Sequence, residues 1–215
     1  YLEFVQKDPR SNNLVAKARG MIWSNIYRLL KPYFEEETGQ AFVAGIKVLV
    51  EVSVEFHELY GYSLTVLNID PTYTLGDMAR RRREILKQLD EEGVLTLNKE
   101  LELPLLTQRI AVISSATAAG YGDFCNQLEH NPYGFVFYPR LFPAVMQGDR
   151  VEETIIAALD TINARRDDWD VVVIIRGGGS QTDLGCFDSY EMAANIAQFP
   201  LPVIAGIGHE RDETI

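Results

Sequence analysis

The sequence predicts an α/β protein, in which a Rossmann-like parallel sheet covered by helices follows a small all-β domain of the OB-fold type. The chain has 215 residues, enough for two domains with separate cores. Its first part contains short strand patterns around one helix, whereas its second part alternates strand and helix patterns. We therefore predict an OB-fold-like domain over 1–75, a helical linker over 76–102 and an α/β domain over 103–215.

The composition is that of a folded protein, with 47% hydrophobic and 24% charged residues, and it argues against a disordered chain. No apolar stretch approaches the roughly 18 residues that a membrane span needs, and the opening YLEFVQKDPR lacks a signal-peptide pattern. The two cysteines, Cys125 and Cys186, suit free thiols in a reducing compartment. We therefore expect a cytoplasmic protein that does not associate with membranes.

The first domain shows two strands, a helix, a long strand and a return strand. Segments 1–6 and 13–20 alternate as half-buried strands do, and apolar residues recur at helical spacing from Trp23 to Phe34. Segment 45–58 is the clearest strand, and 62–70 returns after a turn. This order predicts an OB-fold whose first strand is missing. The apolar face predicted for the long strand comprises Ile46, Val48, Val50, Val52, Val54 and Phe56.

A helix predicted over 76–92 leads into the second domain, and its tract Arg80 to Arg83 has two interpretations, a phosphate contact or a solvated helix face. Strands are then predicted over 109–114, 135–142, 171–176 and 202–208, with helices near 121–130, 150–165 and 188–198. Because segment 171–175 is apolar on both faces, the sheet should be parallel and covered by helices. Ligands of such sheets bind at the carboxyl ends of the strands.

A glycine-rich segment follows the third of these strands. Arg176 offers a bidentate guanidinium, and Gly177, Gly178, Gly179 and Ser180 offer backbone amides that can approach an anion closely. The spacing matches neither a Walker A loop nor a dinucleotide-binding loop, which disfavours ATP and NAD. We therefore predict a phosphate-binding segment, with a plain strand-to-helix turn as the alternative.

Titratable residues follow the other strand ends. His209 and Asp212 lie three positions apart, so they share a face if a helix begins there, and the carboxylate can orient the imidazole for acid–base chemistry. The small residues of 114–123 follow the first strand of the second domain and could form another phosphate-binding helix terminus. Asp123 is predicted in this first strand–helix turn, where it could hold a metal, polarise water or order an arginine. From the residues alone, the alternative is that these side chains only stabilise helix termini.

The charge is unevenly distributed between the two parts. Residues 1–102 hold 13 basic and 16 acidic residues (net −3), and residues 103–215 hold 7 and 15 (net −8), with no lysine after Lys99. A phosphate in the second part must therefore be bound by a few placed arginines and backbone amides.

Three segments together resemble the exodeoxyribonuclease VII large-subunit family: RIAVISSATAAGYGDF, RGGGSQTDLGCFDS and PVIAGIGHERDETI. The resemblance covers 103–215 by motif and 1–70 by strand order. One departure is that the family's proline-containing Ser-x-Thr-Gly turn stands here as Ser115-Ala116-Thr117-Ala118. The resemblance implies a nuclease that degrades single-stranded DNA to oligonucleotides together with a small subunit, bound through a coiled-coil region that this sequence lacks.

The resemblance also implies the site. Its catalytic candidates are Asp123, Arg176, His209 and Asp212, and it implies no required metal or cofactor, although Mg²⁺ remains possible. Arg176 and the glycine amides would stabilise charge on the phosphate, His209 would exchange a proton under the control of Asp212, and Asp123 would activate water. In the first domain, Tyr33, Phe56, Tyr60 and Tyr62 are candidates for stacking on single-stranded DNA, with a core position as the preferred interpretation of each.

Two other functions remain open. One is a noncatalytic module, in which an OB-fold and an anion-binding α/β domain recognise nucleic acid or a phosphorylated ligand. The other is a metal-dependent phosphatase or nuclease that uses Asp123, His209 and Asp212 as Mg²⁺ ligands.

Overall fold

A computed structural model describes residues 1–7, 13–59, 61–176 and 184–208. They belong to two compact units, which we call the first unit (Tyr1–Met78) and the second unit (Ala79–Ile215). Each unit contains its own four-stranded sheet. None of the helices described within these ranges combines the length and apolarity that a membrane span requires.

The first unit contains β1 (Leu2–Lys7), β2 (Leu14–Met21), α1 (Ser24–Thr38), β3 (Leu49–His57) and β4 (Gly61–Asp70). This is the element order that the sequence predicts. The strands form one mixed sheet in the order β1-β2-β4-β3. The outer pairs, β1–β2 and β3–β4, are antiparallel, and the short central pair β2–β4 is parallel.

The core of the first unit lies between α1 and the sheet. Leu30 and Phe34 of α1 pack with Val66 and Ile69 of β4, and all four side chains are buried. Gly20 of β2 lies directly beneath a β1 side chain, since a Cβ atom there would stand 2.6 Å from the ring of Phe4. A larger residue at this position would therefore require the Phe4 ring to move.

The buried face predicted for β3 is only partly correct. The pairing of β3 with β4 shifts register between Glu51 and Val52, and among the described residues the cluster under α1 includes Val50 and Val52 but nothing further along β3. Val54 and Phe56 are exposed. The bulge and the end of the core at Val52 could not be foreseen from the alternation, which continues without interruption.

The second unit contains β5 (Arg109–Ser114), α3 (Ala119–Glu129), β6 (Tyr138–Pro143), α4 (Val151–Asn163), β7 (Val171–Ile175), α5 (Tyr190–Ala197) and β8 (Val203–Gly206). It follows α2 (Pro71–Glu91), whose residues are divided between the two units. The four strands form a parallel sheet in the order β6-β5-β7-β8. The predicted α/β architecture is therefore confirmed.

An apolar layer covers each face of this sheet, because its strands carry apolar side chains on both faces. On one face, Ile110, Val112 and Val173 pack with Tyr121, Phe124 and Leu128 of α3. On the other, Ala111, Ile113, Val172 and Ile174 pack with α4 and with Met192 of α5. Strand residues alternate between the two layers, so both faces of β5 and β7 are buried.

Strand β6 begins three residues later than the sequence predicts. The side chain of Asn131 accepts hydrogen bonds from the backbone amides of Tyr133 and Phe135 (3.2 and 3.0 Å) and donates to the carbonyl of Phe135 (2.7 Å). These bonds hold the backbone in a turn, although residues 135–137 are apolar. β6 therefore starts at Tyr138.

Both edges of the parallel sheet are protected against further pairing. The amides of Tyr138 and Ala144 bind carbonyls on the β5 side, so by the twofold period residues 139, 141 and 143 face outward. Two of these are prolines, which have no amide hydrogen. On the other edge, Asn98 accepts from the amide of Val203 (2.9 Å) and donates to the carbonyls of Phe199 and Leu201.

An ion pair joins β5 and β7 at their amino ends. The Asp170 carboxylate accepts hydrogen bonds from the amides of Gln108 and Arg109 (2.9 and 2.8 Å) and from Nε of Arg109 (3.0 Å). Burial raises the pKa of Asp170, but these hydrogen bonds and the Arg109 charge outweigh it and leave the pKa below its ordinary value. The folded state therefore favours ionised Asp170.

We expect Asp170→Asn to lower the free energy of unfolding of the second unit by about 1.5–3 kcal/mol, because an amide replaces a buried charged acceptor. Since the pKa of Asp170 is depressed on folding, its stabilisation is present above the unfolded value of about 4 and is lost as the pH falls through the folded value. The difference between wild type and variant should therefore shrink in acid. Urea unfolding at neutral and acidic pH, followed by Trp169 fluorescence in a Trp23→Phe background, measures this difference in the free energy of unfolding.

The matched control is Asp167→Asn, because that side chain is fully exposed three residues away. It should leave the unfolding midpoint unchanged at both pH values. Equal stability of the Asp170 variant and the wild type at neutral pH would contradict the role of the ion pair.

Candidate functional site

The order of the parallel sheet places a topological switch point between the carboxyl ends of β5 and β7, and we call this place the crevice. The chain leaves β5 through α3 to form β6 on one side, and after α4 it crosses to form β7 on the other side. The connections therefore diverge at the carboxyl ends of β5 and β7, which is where such sheets bind ligands. The described residues that lead into this crevice are Ser114, the turn 115–118 and Arg176.

Hydrogen bonds tie the four strand ends together. Ser114 is fully buried, and its Oγ donates to the carbonyl of Ile175 (2.7 Å), which links β5 to β7. The carbonyl of Ser114 accepts from the amide of Ala144 (2.9 Å) next to β6, and the amide of Arg176 donates to the carbonyl of Gly206 (3.2 Å) in β8. The floor of the crevice is therefore fixed on both sides. The hydrogen bond of the Ser114 hydroxyl is not predicted from the sequence, although a polar residue that ends an apolar strand is a usable signal.

The turn between β5 and α3 presents hydroxyl groups and amides to the crevice. Oγ of Ser115 lies 3.1 Å from Oγ1 of Thr117, and the amide of Ala118 donates to the carbonyl of Ser115 (3.0 Å). Ala118 is the N-cap residue of α3, and no side chain caps the helix there. The first amides of α3 are therefore available to an anion.

Asp123 is the fifth residue of α3 and is exposed. The prediction that it lies in the first strand–helix turn is wrong, because α3 begins at Ala119 rather than near residue 121. The first turn of α3 contains no acidic residue, so stabilisation of the helix N-terminus does not account for Asp123. Tyr121 and Phe124 pack on the sheet, which leaves the Asp123 carboxylate on the solvent side.

Arg176 is the first residue after β7 and is only 9% exposed. Charged side chains are seldom this buried in proteins, and they are then commonly placed for a function or an ion pair. Its position at the strand end agrees with the sequence prediction. A guanidinium here presents several donors in a fixed plane.

Six predicted site residues lie outside the described residues: Gly177, Gly178, Gly179, Ser180, His209 and Asp212. The structure does bring together the two strands that lead to them. Arg176, which precedes the glycines, is hydrogen-bonded to Gly206, three residues before His209. The described residues contain no group of three or more metal-binding side chains.

The two other histidines belong to neither of the strand ends that form the crevice. His130 follows α3, and its Nδ1 lies 3.0 Å from the carbonyl of Asn126 in the last turn of that helix. His57 lies on β3 of the first unit, where its Nδ1 accepts from the amide of Leu59 (3.1 Å). Neither is a candidate for the chemistry at β5 and β7.

A second candidate surface lies in the first unit, on the β3–β4 hairpin. Phe56 and Tyr62 face each other across the strands with ring centroids 5.0 Å apart, and they are 65% and 70% exposed. The preferred core interpretation of these two residues is therefore wrong. Tyr33 on α1 is also exposed, and Tyr60 lies outside the described residues.

The family model described as "Exonuclease VII, large subunit" matches residues 94–215, more than half of the chain. The chain belongs to the exonuclease VII large-subunit family. The resemblance stated from the sequence motifs is thereby confirmed. The matched range includes the whole parallel sheet, the crevice and all four catalytic candidates.

Several curated members of the exonuclease VII family are similar to the chain. The exodeoxyribonuclease 7 large subunit of Deinococcus radiodurans is 36% identical over 204 residues, 94% of this chain and 49% of that protein. The corresponding protein of Nostoc sp. is 31% identical over 219 residues, 100% of this chain and 48% of that protein. That of Lactobacillus johnsonii is 35% identical over 173 residues, 80% of this chain and 37% of that protein. The chain thus spans at most about half the length of these relatives.

Proposed function

We propose that the chain is the part of an exodeoxyribonuclease VII large subunit that binds single-stranded DNA and hydrolyses its phosphodiester bonds to oligonucleotides. The observation that carries this proposal is the buried Arg176 at the crevice of a parallel sheet that the family model matches. The curated relatives bear the name exodeoxyribonuclease 7 large subunit. A buried guanidinium at such a strand end suits an anionic phosphodiester.

The proposed chemistry divides the work among four side chains. Arg176 and the amides of the following glycines stabilise the charge that develops on the phosphate as water attacks phosphorus. His209 exchanges the proton between water and the leaving sugar oxygen, and Asp212 orients its imidazole. Asp123 orients the attacking water from the exposed side of α3. These assignments of His209 and Asp212 rest on sequence spacing and family resemblance.

Two alternatives make different predictions. A metal-dependent enzyme would use Asp123, His209 and Asp212 as Mg²⁺ ligands, and a chelator would abolish its activity. A noncatalytic module would bind nucleic acid without turnover. We favour hydrolysis without a required metal because the family resemblance implies it.

We assign the first unit to the OB-fold and keep 1–75, 76–102 and 103–215 as the functional divisions. The strand–strand–helix–strand–strand order and the parallel β2–β4 pair support this assignment, since an OB-fold is a partly open Greek-key barrel. An open groove of about 750 Å³, lined by residues such as Phe4, Tyr27 and Val48, separates β1 and α1.

Single-stranded DNA would stack on the exposed Phe56–Tyr62 pair of this OB-fold. Every base has a π-face, so aromatic stacking binds single strands without strong sequence preference. A pair of exposed rings is also costly to leave in water unless a partner covers it. The complete large subunit would act in the cytoplasm together with the small subunit.

We expect the full-length large subunit with its small subunit to degrade labelled single-stranded DNA in the presence of a chelator and to leave double-stranded DNA intact. Arg176→Ala and His209→Ala should each reduce the single-turnover rate by at least about 10²-fold, the effect of removing a group that stabilises the transition state. Arg150→Ala is the matched control, because Arg150 is an exposed arginine of the same unit.

Binding without cleavage in every sample would contradict hydrolysis and favour the noncatalytic module. Loss of activity in the chelator alone would favour the metal-dependent alternative. Full activity of the folded Arg176 variant would contradict the proposed site.

We expect Phe56→Ala and Tyr62→Ala each to weaken binding of an oligothymidylate by about 1–3 kcal/mol, because each removes one stacking surface. Leu59→Ala is the matched control, since Leu59 is 82% exposed on the same hairpin but has no ring. Fluorescence anisotropy at a fixed salt concentration measures the dissociation constants. Equal affinity of all three variants and the wild type would contradict stacking at this hairpin.

A further inference from the structure

We propose that Ser114 is a positioning residue, whose buried hydroxyl holds Arg176 in the place that hydrolysis requires. This role rests on the proposed function, since Arg176 must first act on the phosphate. Ser114 contacts the backbone that precedes Arg176, and it has no assigned part in the chemistry.

The peptide group between Ile175 and Arg176 is held from both sides. Its carbonyl accepts a hydrogen bond from Oγ of Ser114 in β5 (2.7 Å), and its amide donates to the carbonyl of Gly206 in β8 (3.2 Å). Both ends of one rigid plane are therefore fixed. The Cα atom of Arg176 belongs to that plane, so these two bonds fix the position from which its side chain leaves the strand.

The side chain of Ser114 makes a hydrogen bond between β5 and β7 beyond the last backbone pair of these strands. The regular pairing of β5 with β7 ends at Ile113 and Ile174. The carbonyl of Ser114 is engaged by the amide of Ala144, on the β6 side. The hydroxyl thus extends the link between β5 and β7 by one step, at the point where the crevice opens.

Burial makes this bond hard to replace. Ser114 has no solvent exposure, so water does not readily take over the hydrogen bond if the hydroxyl is removed. The Ile175 carbonyl would then lose a donor inside the sheet, and the peptide plane would be free to tilt towards another one. Arg176 follows this plane directly, so its guanidinium would move away from the phosphate.

The effect should fall on the chemical step more than on binding. Arg176 acts on charge that develops during the reaction, whereas affinity for single-stranded DNA is spread over many contacts, including those of the first unit. A small displacement of a catalytic group commonly costs on the order of tenfold to a hundredfold in rate. We expect Ser114→Ala to lower kcat by that factor and to leave the dissociation constant for the oligonucleotide within about twofold of the wild-type value.

The test measures single-turnover cleavage and oligonucleotide binding by the full-length large subunit with its small subunit. Ser114→Thr and Ser114→Val form an isosteric pair that differs by the hydroxyl alone, so the threonine variant should be at least about tenfold faster than the valine variant. Asn98→Ala is the stability control, because Asn98 makes three hydrogen bonds to the backbone at the amino end of the edge strand β8, away from the crevice. It should lower the urea midpoint without lowering the rate under native conditions.

A double variant separates positioning from general damage. If Ser114 acts through Arg176, Ser114→Ala should cause no further loss in an Arg176→Ala background. Multiplicative losses in the double variant, or a wild-type rate for Ser114→Ala while Arg176→Ala is slow, would overturn the role of Ser114 and leave the proposed function standing. A wild-type rate for Arg176→Ala as well would overturn the proposed function itself.

Discussion

The placement of β5 between β6 and β7 is the constraint on which the rest of the second unit depends. Strands that are apolar on both faces must be covered by helices on both faces, so the connections from β5 and into β7 run on opposite sides of the sheet. Their divergence opens a crevice at the carboxyl edge. The described residues that we connect with the chemistry lie on elements that meet this edge. Ser114 is the last residue of β5, Arg176 directly follows β7, and Asp123 lies on α3, the helix that follows β5.

The uneven charge fits a site of this kind. The second part of the chain carries 7 basic and 15 acidic residues, so a diffuse attraction for polyanions is weak there. A phosphate must instead be recognised by donors that the fold holds in place. The buried Arg176 and the uncapped first amides of α3 are such donors. In our proposal the exposed Phe56–Tyr62 pair adds base stacking, which does not depend on net charge.

The sequence predicts the second unit well because its strands, such as Val171–Ile175, are short apolar runs separated by clear helix patterns. Errors arise where a local contact overrides the pattern. Asn131 delays β6 by binding the backbone of residues that look like a strand, and Phe56 is exposed although the alternation of β3 continues as far as this residue. The motif predicts Arg176, whereas the hydrogen bond of the Ser114 hydroxyl could not be foreseen because its partner lies 61 residues away.

The central claim is that the crevice between β5 and β7 binds the phosphodiester that is cleaved. The most direct test is a crystal structure of the full-length Asp123→Asn protein with its small subunit and a short single-stranded oligonucleotide. The account predicts a phosphate group in the crevice, within hydrogen-bonding distance of the Arg176 guanidinium, with bases reaching the Phe56–Tyr62 hairpin of the same or another subunit. An oligonucleotide bound elsewhere, with its phosphates remote from Arg176, would contradict it.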